Sequence, residues 1–278
     1  MRTEVMQGPS QTEIKLTYEL MKTNFKCKMI NMSSKLREDD LRKLRYYLEG
    51  IIPINNCSDS MDILRVLEHE ARISWDDINF VKEAMGSISR QDLVEDLTKY
   101  EVKRNLTLLL DFYAKSNLGL DSNFCDNKLR MNMVASRLRK IMDSARESVK
   151  IRDICSTVES SRDLKKVLMA LEEKMDEGPS LSWDDFTMLV IFAGEIITIA
   201  SADEEQQESL LDLCTTAADE LCSRMKAPGT WNDFKNHVKE VHRFVQENID
   251  SNHNLSSQEI AKVVQQFREA VFLPVGNL

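Results

Sequence analysis

Glycine and proline are scarce in this chain, with 8 and 5 among 278 residues. Loop-rich β architectures and long disordered segments use more of both, so their scarcity argues against these classes. Aromatic residues are also few, at 6%, whereas hydrophobic residues make up 42% and charged residues 30%. This balance predicts a globular, mostly helical chain that is long enough for one large or two small domains.

The chain also lacks an excess of basic residues and a long apolar run. Its formal net charge is -9, so it has no general field to attract nucleic acid or an anionic membrane. The longest apolar stretch, residues 188–200, is interrupted by Gly194 and Glu195 and fits a buried helix better than a membrane span. Residues 1–10 lack the apolar core of a signal peptide. We therefore expect a cytoplasmic protein, with the nucleus as an alternative, and neither nucleic acid nor membrane as a partner.

Signatures of metal sites and enzymes are missing as well. The six cysteines are scattered, without a CxxC pair or a cysteine and histidine cluster at zinc spacing. The chain has no phosphate-binding loop, dinucleotide fingerprint, nucleophile elbow or HExxH pair. His237 and His242, five residues apart, are interpreted as solvated surface residues. We predict a protein that is not an enzyme and needs no metal or cofactor.

Helical periodicity dominates what is present. Apolar residues recur at intervals of three and four, which is typical of amphipathic helices that pack on one another. A stretch rich in Ser, Asn, Asp and Gly interrupts this pattern at residues 116–126 and is interpreted as a linker. We therefore predict one helical domain over residues 20–115 and an antiparallel bundle of five or six helices over residues 127–278, the last carrying the stripe from Ile260 to Phe267.

Three Ser or Thr residues followed by an acid three positions later predict helix starts by reciprocal capping. These pairs are Ser74 with Asp77, Ser201 with Glu204, and Thr230 with Asp233. A Ser-Trp-Asp-Asp element also ends two similar stretches, residues 63–77 and 167–185. The repeat indicates either a duplicated module or a helix start used twice.

The most informative motif is Arg90-Gln91-Asp92-Leu93, which opens the last helix of the first group. It follows FKCKMINMSSKLREDDLRKLRYYLEG, predicted as two helices, and lies within MDILRVLEHEARISWDDINFVKEAMGSISRQDLVEDL. From about Phe25 to Glu101 this pattern resembles the death effector domain, the six-helix interaction module of apoptotic adaptors and initiator procaspases.

The resemblance implies a charge triad and an exposed contact on the second helix. The triad joins Asp40 to Arg90 and Asp92, since a guanidinium can bridge two carboxylates. The exposed contact falls on Tyr46 and Tyr47, where the family more often has Phe-Leu, although core packing is the alternative for Tyr47. The interaction surface implied for this chain is formed by Asp40, Tyr46, Tyr47, Arg90, Asp92 and Leu93.

The second half matches no family motif. It lacks the nucleophile motif of a caspase and a death domain pattern, and Thr198-Ile199-Ala200 stands where a second RxDL would fall. The predicted fold is therefore all-α, a six-helix death-fold bundle followed by a second antiparallel helical bundle.

The predicted function is that of an adaptor without catalytic activity, which mediates homotypic assembly in apoptosis or innate immune signalling. Its expected partners are other death-effector-domain proteins, both adaptors and initiator procaspases, and further copies of itself. Two alternatives stay open: a decoy inhibitor of such assembly, and a C-terminal bundle that acts on membranes, for which the apolar stretch at 188–200 is the only hint.

Overall fold

A computed structural model of the chain describes residues 11–54, 57–120, 128–145, 164–169, 182–202, 210–223 and 229–250. Within these ranges every regular element is a helix, which confirms the predicted all-α class. The predicted helix at 260–267, Glu204 and most of the predicted linker lie outside the described residues.

The chain divides into two compact units after Glu101. The first unit holds α1 (Gln11–Ser34), α2 (Glu38–Leu48), α3 (Ser60–His69), α4 (Asn79–Ser87) and the start of α5 (Gln91–Asn117). The third helix of a six-helix bundle would lie between α2 and α3, where the described residues form turns and irregular chain, and residues 55 and 56 lie outside the description.

The division falls inside a helix, earlier than the predicted limits at 115 and 127. Residues 102–115 continue α5 without a break, and most of their side chains are buried. Because the helix is continuous and apolar on several faces there, hydrophobic periodicity gives no sign of the boundary.

The core of the first unit is built by the predicted apolar stripes. In α2 the residues Leu41, Leu44 and Leu48 are buried, and Gly50 follows with a positive φ of 77° that ends the helix. The stripes of the other helices contribute Met21, Phe25, Met29, Met32, Ile63, Leu64, Leu67, Val81, Met85, Leu93 and Leu97.

Helices α3 and α4 end in the same way. The amide of Arg72 donates to the carbonyl of Leu67 at 2.8 Å, and the amide of Arg90 donates to the carbonyl of Met85 at 2.9 Å. Ala71 and Ser89 precede these donors in the left-handed region, with φ of 52° and 63°. This is the Schellman ending, with Ala and Ser in the place that glycine usually takes, and it fixes the backbone at Arg90.

The predicted helix start at Ser74 is wrong, because α4 begins at Asn79. The hydroxyl of Ser74 accepts the amide of Asp77 at 3.2 Å, as a cap would. However, the carboxylate of Asp77 accepts the amide of Asn79 at 3.0 Å, and the amide of Ser74 donates to the backbone carbonyl of Asp77. The residues therefore close a separate turn before the helix.

The second unit contains α6 (Lys128–Ala145), a helical segment at 164–169, α7 (Trp183–Ala200), α8 (Leu210–Ser223) and α9 (Trp231–Asp250). Reciprocal caps open two of them: Ser182 with Asp185 starts α7, and the predicted pair Thr230 with Asp233 starts α9. Every side chain of α7 from Phe186 to Ile197 is buried. None of the helices in the described part of the chain is long and apolar enough to cross a membrane.

Helices α5 and α7 pack closely around Tyr113. A Cβ atom added to Gly194 would lie 2.7 Å from Tyr113 Cδ1. The ring of Tyr113 can therefore pack at this position only because Gly194 has no side chain. The Tyr113 hydroxyl donates to Glu195 Oε1 at 2.5 Å, which provides a partner for a buried carboxylate. Two residues to either side of Tyr113, Asp111 and Lys115 form an ion pair at 2.8 Å with side chains 3% and 5% exposed.

His237 and His242 are not the solvated residues that the sequence indicated. The ring of His237 stacks on Trp183 at 6.2 Å between centroids, and its Nε2 lies 3.1 Å from Asp184 Oδ1. His242 is partly buried, and Lys140 and Arg137 add positive charge around it. Both histidines belong to α9, which packs on α6 and α7, so their placement follows from tertiary packing.

Candidate functional site

Arg90 joins three parts of the first unit. Its Nη1 donates to Asp40 Oδ2 at 2.6 Å and to the carbonyl oxygen of Lys35 at 2.8 Å. Its Nε and Nη2 donate to the two carboxylate oxygens of Asp92 at 2.8 and 2.7 Å. The structure therefore brings together the predicted triad of Asp40, Arg90 and Asp92, and the planar fork of the guanidinium accounts for the paired contact with Asp92.

Asp40 serves the triad and its own helix with the same oxygen. Oδ2 accepts the amide of Arg37 at 3.0 Å, next to the start of α2, in addition to the guanidinium of Arg90. Burial opposes ionisation of this carboxyl, but the amide of Arg37 and the cation of Arg90 outweigh it, so the pKa of Asp40 lies below its ordinary value. The ionised form is thus favoured where α1, α2 and α5 approach one another.

The two arms of the triad differ in exposure. The side chains of Arg90 and Asp40 are 18% and 12% exposed, whereas that of Asp92 is 61% exposed. Hydrogen bonds from Arg90 lower the pKa of Asp92 to about 2 and, with those to Asp40, raise the pKa of Arg90. Because water screens exposed charges, the partly buried Arg90–Asp40 arm is the one that stabilises the position of α2.

The outward face of α2 presents two tyrosines. The side chain of Tyr46 is 81% exposed, as expected for a residue off the buried stripe. Tyr47 is half-buried, so it does not belong to the core, the alternative considered for it. Both line an open groove between α2 and the end of α4, together with Arg42, Lys43, Glu49, Ser87 and Ile88.

Leu93 lies apart from this surface. It is 1% exposed and packs in the core, where it helps to hold the first turn of α5. Its place in the RxDL motif is therefore that of an anchor for Arg90 and Asp92, and not that of a contact residue.

Some participants in this site carry no signal in the sequence. The carbonyl of Lys35 and the amide of Arg37 act through backbone atoms, which any residue supplies. Further ion pairs tie α5 to its neighbours: Asp96 binds Lys28 at 2.7 Å and Lys35 at 3.1 Å, and Glu101 binds Lys82 at 2.6 Å. The spacing of acids along α5 does not reveal which lysines they meet.

Most side chains at the groove are polar or aromatic. Two cations, one acid, two phenols, a serine hydroxyl and one apolar side chain line the groove, and four of the five N–H groups of Arg90 have acceptors. Among the residues that the structure describes, no group of histidine, cysteine, aspartate or glutamate side chains is arranged to hold a metal ion.

Comparison with known proteins gives a match that covers most of the first unit. The family model of the death effector domain matches residues 25–103, less than a third of the chain. No curated protein and no solved structure matches the chain. Domains of this family are protein-interaction modules that bind other death-fold domains homotypically. The segment at residues 25–103 is therefore similar to a death effector domain.

Proposed function

We propose that the chain is an adaptor without catalytic activity, which assembles by contacts between death effector domains in apoptotic or innate immune signalling. The observation that carries the proposal is the exposure of Tyr46, 81%, on a helix that Arg90 holds in place. A large aromatic side chain on a positioned surface is a typical anchor of protein interfaces. Other copies of the chain, adaptors and initiator procaspases are the proposed partners, and the cytoplasm, with the nucleus as an alternative, is the proposed compartment.

The proposed mechanism divides the work between the tyrosines and the triad. Tyr46 and Tyr47 provide apolar area with polar tips, so they make contacts on a surface that remains wet. The triad makes no contact with the partner; it fixes α2 so that the tyrosines meet the partner in one geometry. One domain face offers a small contact, so single encounters are weak and repeated contacts supply avidity.

The test is the concentration-dependent size of the full chain, measured by sedimentation velocity and negative-stain imaging. Wild type is compared with Tyr46→Asp, which adds a charge to the contact, and with Tyr46→Phe, which keeps its apolar area. We expect wild type and Tyr46→Phe to form large oligomers and Tyr46→Asp to remain monomeric with unchanged helicity by circular dichroism.

Assembly of Tyr46→Asp at the wild-type concentration would contradict the proposal. A wild-type chain that stays monomeric at all concentrations and halts assembly of another death effector domain at substoichiometric amounts would also overturn it, in favour of the decoy inhibitor.

A further inference from the structure

The tyrosine side chains that the structure describes differ widely in exposure. Tyr46 is 81% exposed, whereas Tyr47 is half-buried. The hydroxyl oxygen of Tyr100 is buried, and Tyr113 is 1% exposed with its hydroxyl hydrogen-bonded in the core of the second unit. An enzyme that modifies tyrosine must reach the phenol oxygen, so Tyr46 is the most accessible of these four residues.

Tyr46 also lies close to the end of its helix. It falls in the last turn of α2, which ends at Leu48, and Gly50 turns the chain with a φ of 77°. The terminal turn of a helix opens more readily than its middle, because its last carbonyl groups lack partners within the helix. An enzyme can therefore separate the residues around Tyr46 from the surface at a smaller free-energy cost than residues at the centre of α2.

Two cations lie on the same face of α2 as Tyr46. Arg42 and Lys43 precede it by four and three residues, the spacing that makes helical side chains neighbours, and all three line the groove. Side chains lean toward the N-terminal end of their helix, so an anion on the Tyr46 ring would lie nearer to these cations than to Glu49. Arg42 pairs with Asp39 at 2.7 Å, but these side chains are 79% and 76% exposed, so the pair is weak and can exchange.

A phosphate on Tyr46 would alter the surface of α2 and leave its packing unchanged. Phosphate adds a charge of about -1.5 to -2 at neutral pH and three strong acceptor oxygens. Arg42 and Lys43 can donate to these oxygens from the preceding turn, and no core side chain has to move because Tyr46 is exposed. A partner that covers this face would have to desolvate the added charge, which is unfavourable.

We propose that Tyr46 is a site of reversible phosphorylation that switches off the contact made by this face of α2. The inference rests on the proposed function and adds its regulation. A tyrosine kinase supplies the phosphoryl group from ATP: the Tyr46 oxygen bonds to the γ-phosphorus, the bond from that phosphorus to the bridging oxygen breaks, and ADP and the phenol proton leave. Hydrolysis by a phosphatase restores the phenol and releases inorganic phosphate.

The first test treats the full chain with a tyrosine kinase of broad specificity, Mg²⁺ and ATP, and locates phosphate by peptide mass spectrometry. Wild type and Tyr47→Phe should both be modified at Tyr46, since Tyr47 is not the acceptor. A synthetic peptide of residues 38–52 shows that the kinase accepts the sequence. Modification of the peptide and not of Tyr46 in the folded chain, or modification of the chain chiefly at Tyr47, would overturn the inference.

The second test examines the phosphate itself by ³¹P NMR titration of the phosphorylated chain. Neighbouring cations favour the doubly charged form of a phosphate, so wild type should take up the proton at a lower pH than Arg42→Gln does. Lys99→Gln, at an exposed lysine on α5, is the control and should titrate as wild type does. Equal titrations of wild type and Arg42→Gln would contradict the proposed arrangement of the site.

The third test is sedimentation velocity of the phosphorylated full chain. We expect it to need at least about tenfold more protein to assemble than the unmodified chain, because a charge must be desolvated at the contact. Phosphatase treatment should restore assembly, and Tyr46→Phe should assemble equally with and without kinase.

The outcomes separate this inference from the proposed function. If Tyr46 is not modified, or if the phosphorylated chain assembles as unmodified chain does, while Tyr46→Asp remains monomeric, the inference is wrong and the proposed function stands. If unmodified wild type does not assemble, the proposed function fails and the switch fails with it.

Discussion

The guanidinium of Arg90 has four hydrogen bonds to three acceptor groups, and each lies on a different part of the chain. Asp92 lies in the first turn of α5, Asp40 lies on α2, and the carbonyl of Lys35 lies just beyond α1. A lysine has a single nitrogen at the end of a flexible side chain. It therefore cannot contact all three acceptor groups, which the planar guanidinium contacts through three nitrogens. The position of α2 therefore depends on the shape of this side chain as well as on its charge.

Replacing Arg90 by Lys should loosen α2 without unfolding the first unit. We expect a loss of about 1–3 kcal/mol, since hydrogen bonds from a charged donor to partly buried acceptors are removed. The measurement is hydrogen exchange of the full chain by mass spectrometry, which should show faster exchange in α2 and in the first turn of α5. Arg42→Lys, at an exposed pair, is the control, and equal exchange in the two variants would show that the fork does not matter.

His242 should make the second unit less stable in mild acid. Burial first, and then Lys140 and Arg137, hold the pKa of His242 below its ordinary value of 6.5. Below this pH the unfolded chain binds a proton at His242 more readily than the folded chain does. The free energy of unfolding therefore decreases as the pH falls from this value to the pKa of His242 in the folded chain. Replacing His242 by Gln should reduce the difference in unfolding free energy between about pH 7.5 and 5.5.

The control for this prediction is His69→Gln, since the side chain of His69 is 87% exposed. Its pH dependence should match that of wild type in urea unfolding followed by circular dichroism. A His242→Gln chain with the full wild-type pH dependence would show that Lys140 and Arg137 do not act on this histidine.

At the scale of elements, the packing of α5 against α7 depends on one missing side chain. Gly194 lies inside a helix, where glycine is unfavourable. The ring of Tyr113 packs against its Cα atom. The closeness of the two helices and the hydrogen bond from Tyr113 to Glu195 both follow from this contact.

Gly194→Ala should therefore destabilise the second unit although alanine favours helices. The added Cβ would lie 2.7 Å from the Tyr113 ring, and overpacking of this kind costs about 1–3 kcal/mol. The control is Gly86→Ala in α4, where the nearest atom to the added Cβ is 4.0 Å away and stability should rise by up to about 1 kcal/mol. Thermal unfolding of both variants gives the comparison, and equal stabilisation would refute the overpacking argument.

Helices that bury one face were predictable from the sequence. The position of a helix that is buried on all sides was harder to predict. The stripe of Leu41, Leu44 and Leu48 identified α2 because only that side is covered. Helix α7 is buried on all sides, so periodicity predicted its existence but not its central place. Ser74 was misleading because its side-chain hydrogen bond serves a turn as readily as a helix start.

At the scale of the whole molecule, the two units differ in how far a family motif predicts their features. The motif that predicted the triad lies in the first unit, and no family motif was found in the second half of the chain. The triad was predictable because the RxDL pattern and Asp40 occur in residues that match the family. The groove was not predictable from the sequence. It combines α2 with Ser87 and Ile88, which lie about forty residues further along the chain, and only tertiary packing brings such residues together.

The cysteines provide chemical reporters for the two units. Cys27 is exposed in the first unit, whereas Cys214 is buried in the second, and burial raises its pKa well above the usual range. Thiolate is the reactive form, so we expect iodoacetamide to modify Cys27 in the native chain and Cys214 only after unfolding. Cys222, with a pKa raised to about 12 by burial, should also react slowly.

Peptide mapping of the chain after labelling at increasing urea concentrations measures how far each cysteine is modified. Labelling of Cys214 should follow the loss of helix by circular dichroism, while labelling of Cys27 should be complete before it. Rapid modification of Cys214 in the absence of urea would contradict its burial.

The buried pair of Asp111 and Lys115 has a consequence for rearrangement of the second unit. Where the partner of a buried ion lies on another element, separating the two elements leaves an unpaired charge. Here both ions lie four residues apart on α5, so the helix carries its own counter-charge. When a neighbouring helix is altered, both charges therefore keep this partner on their own helix.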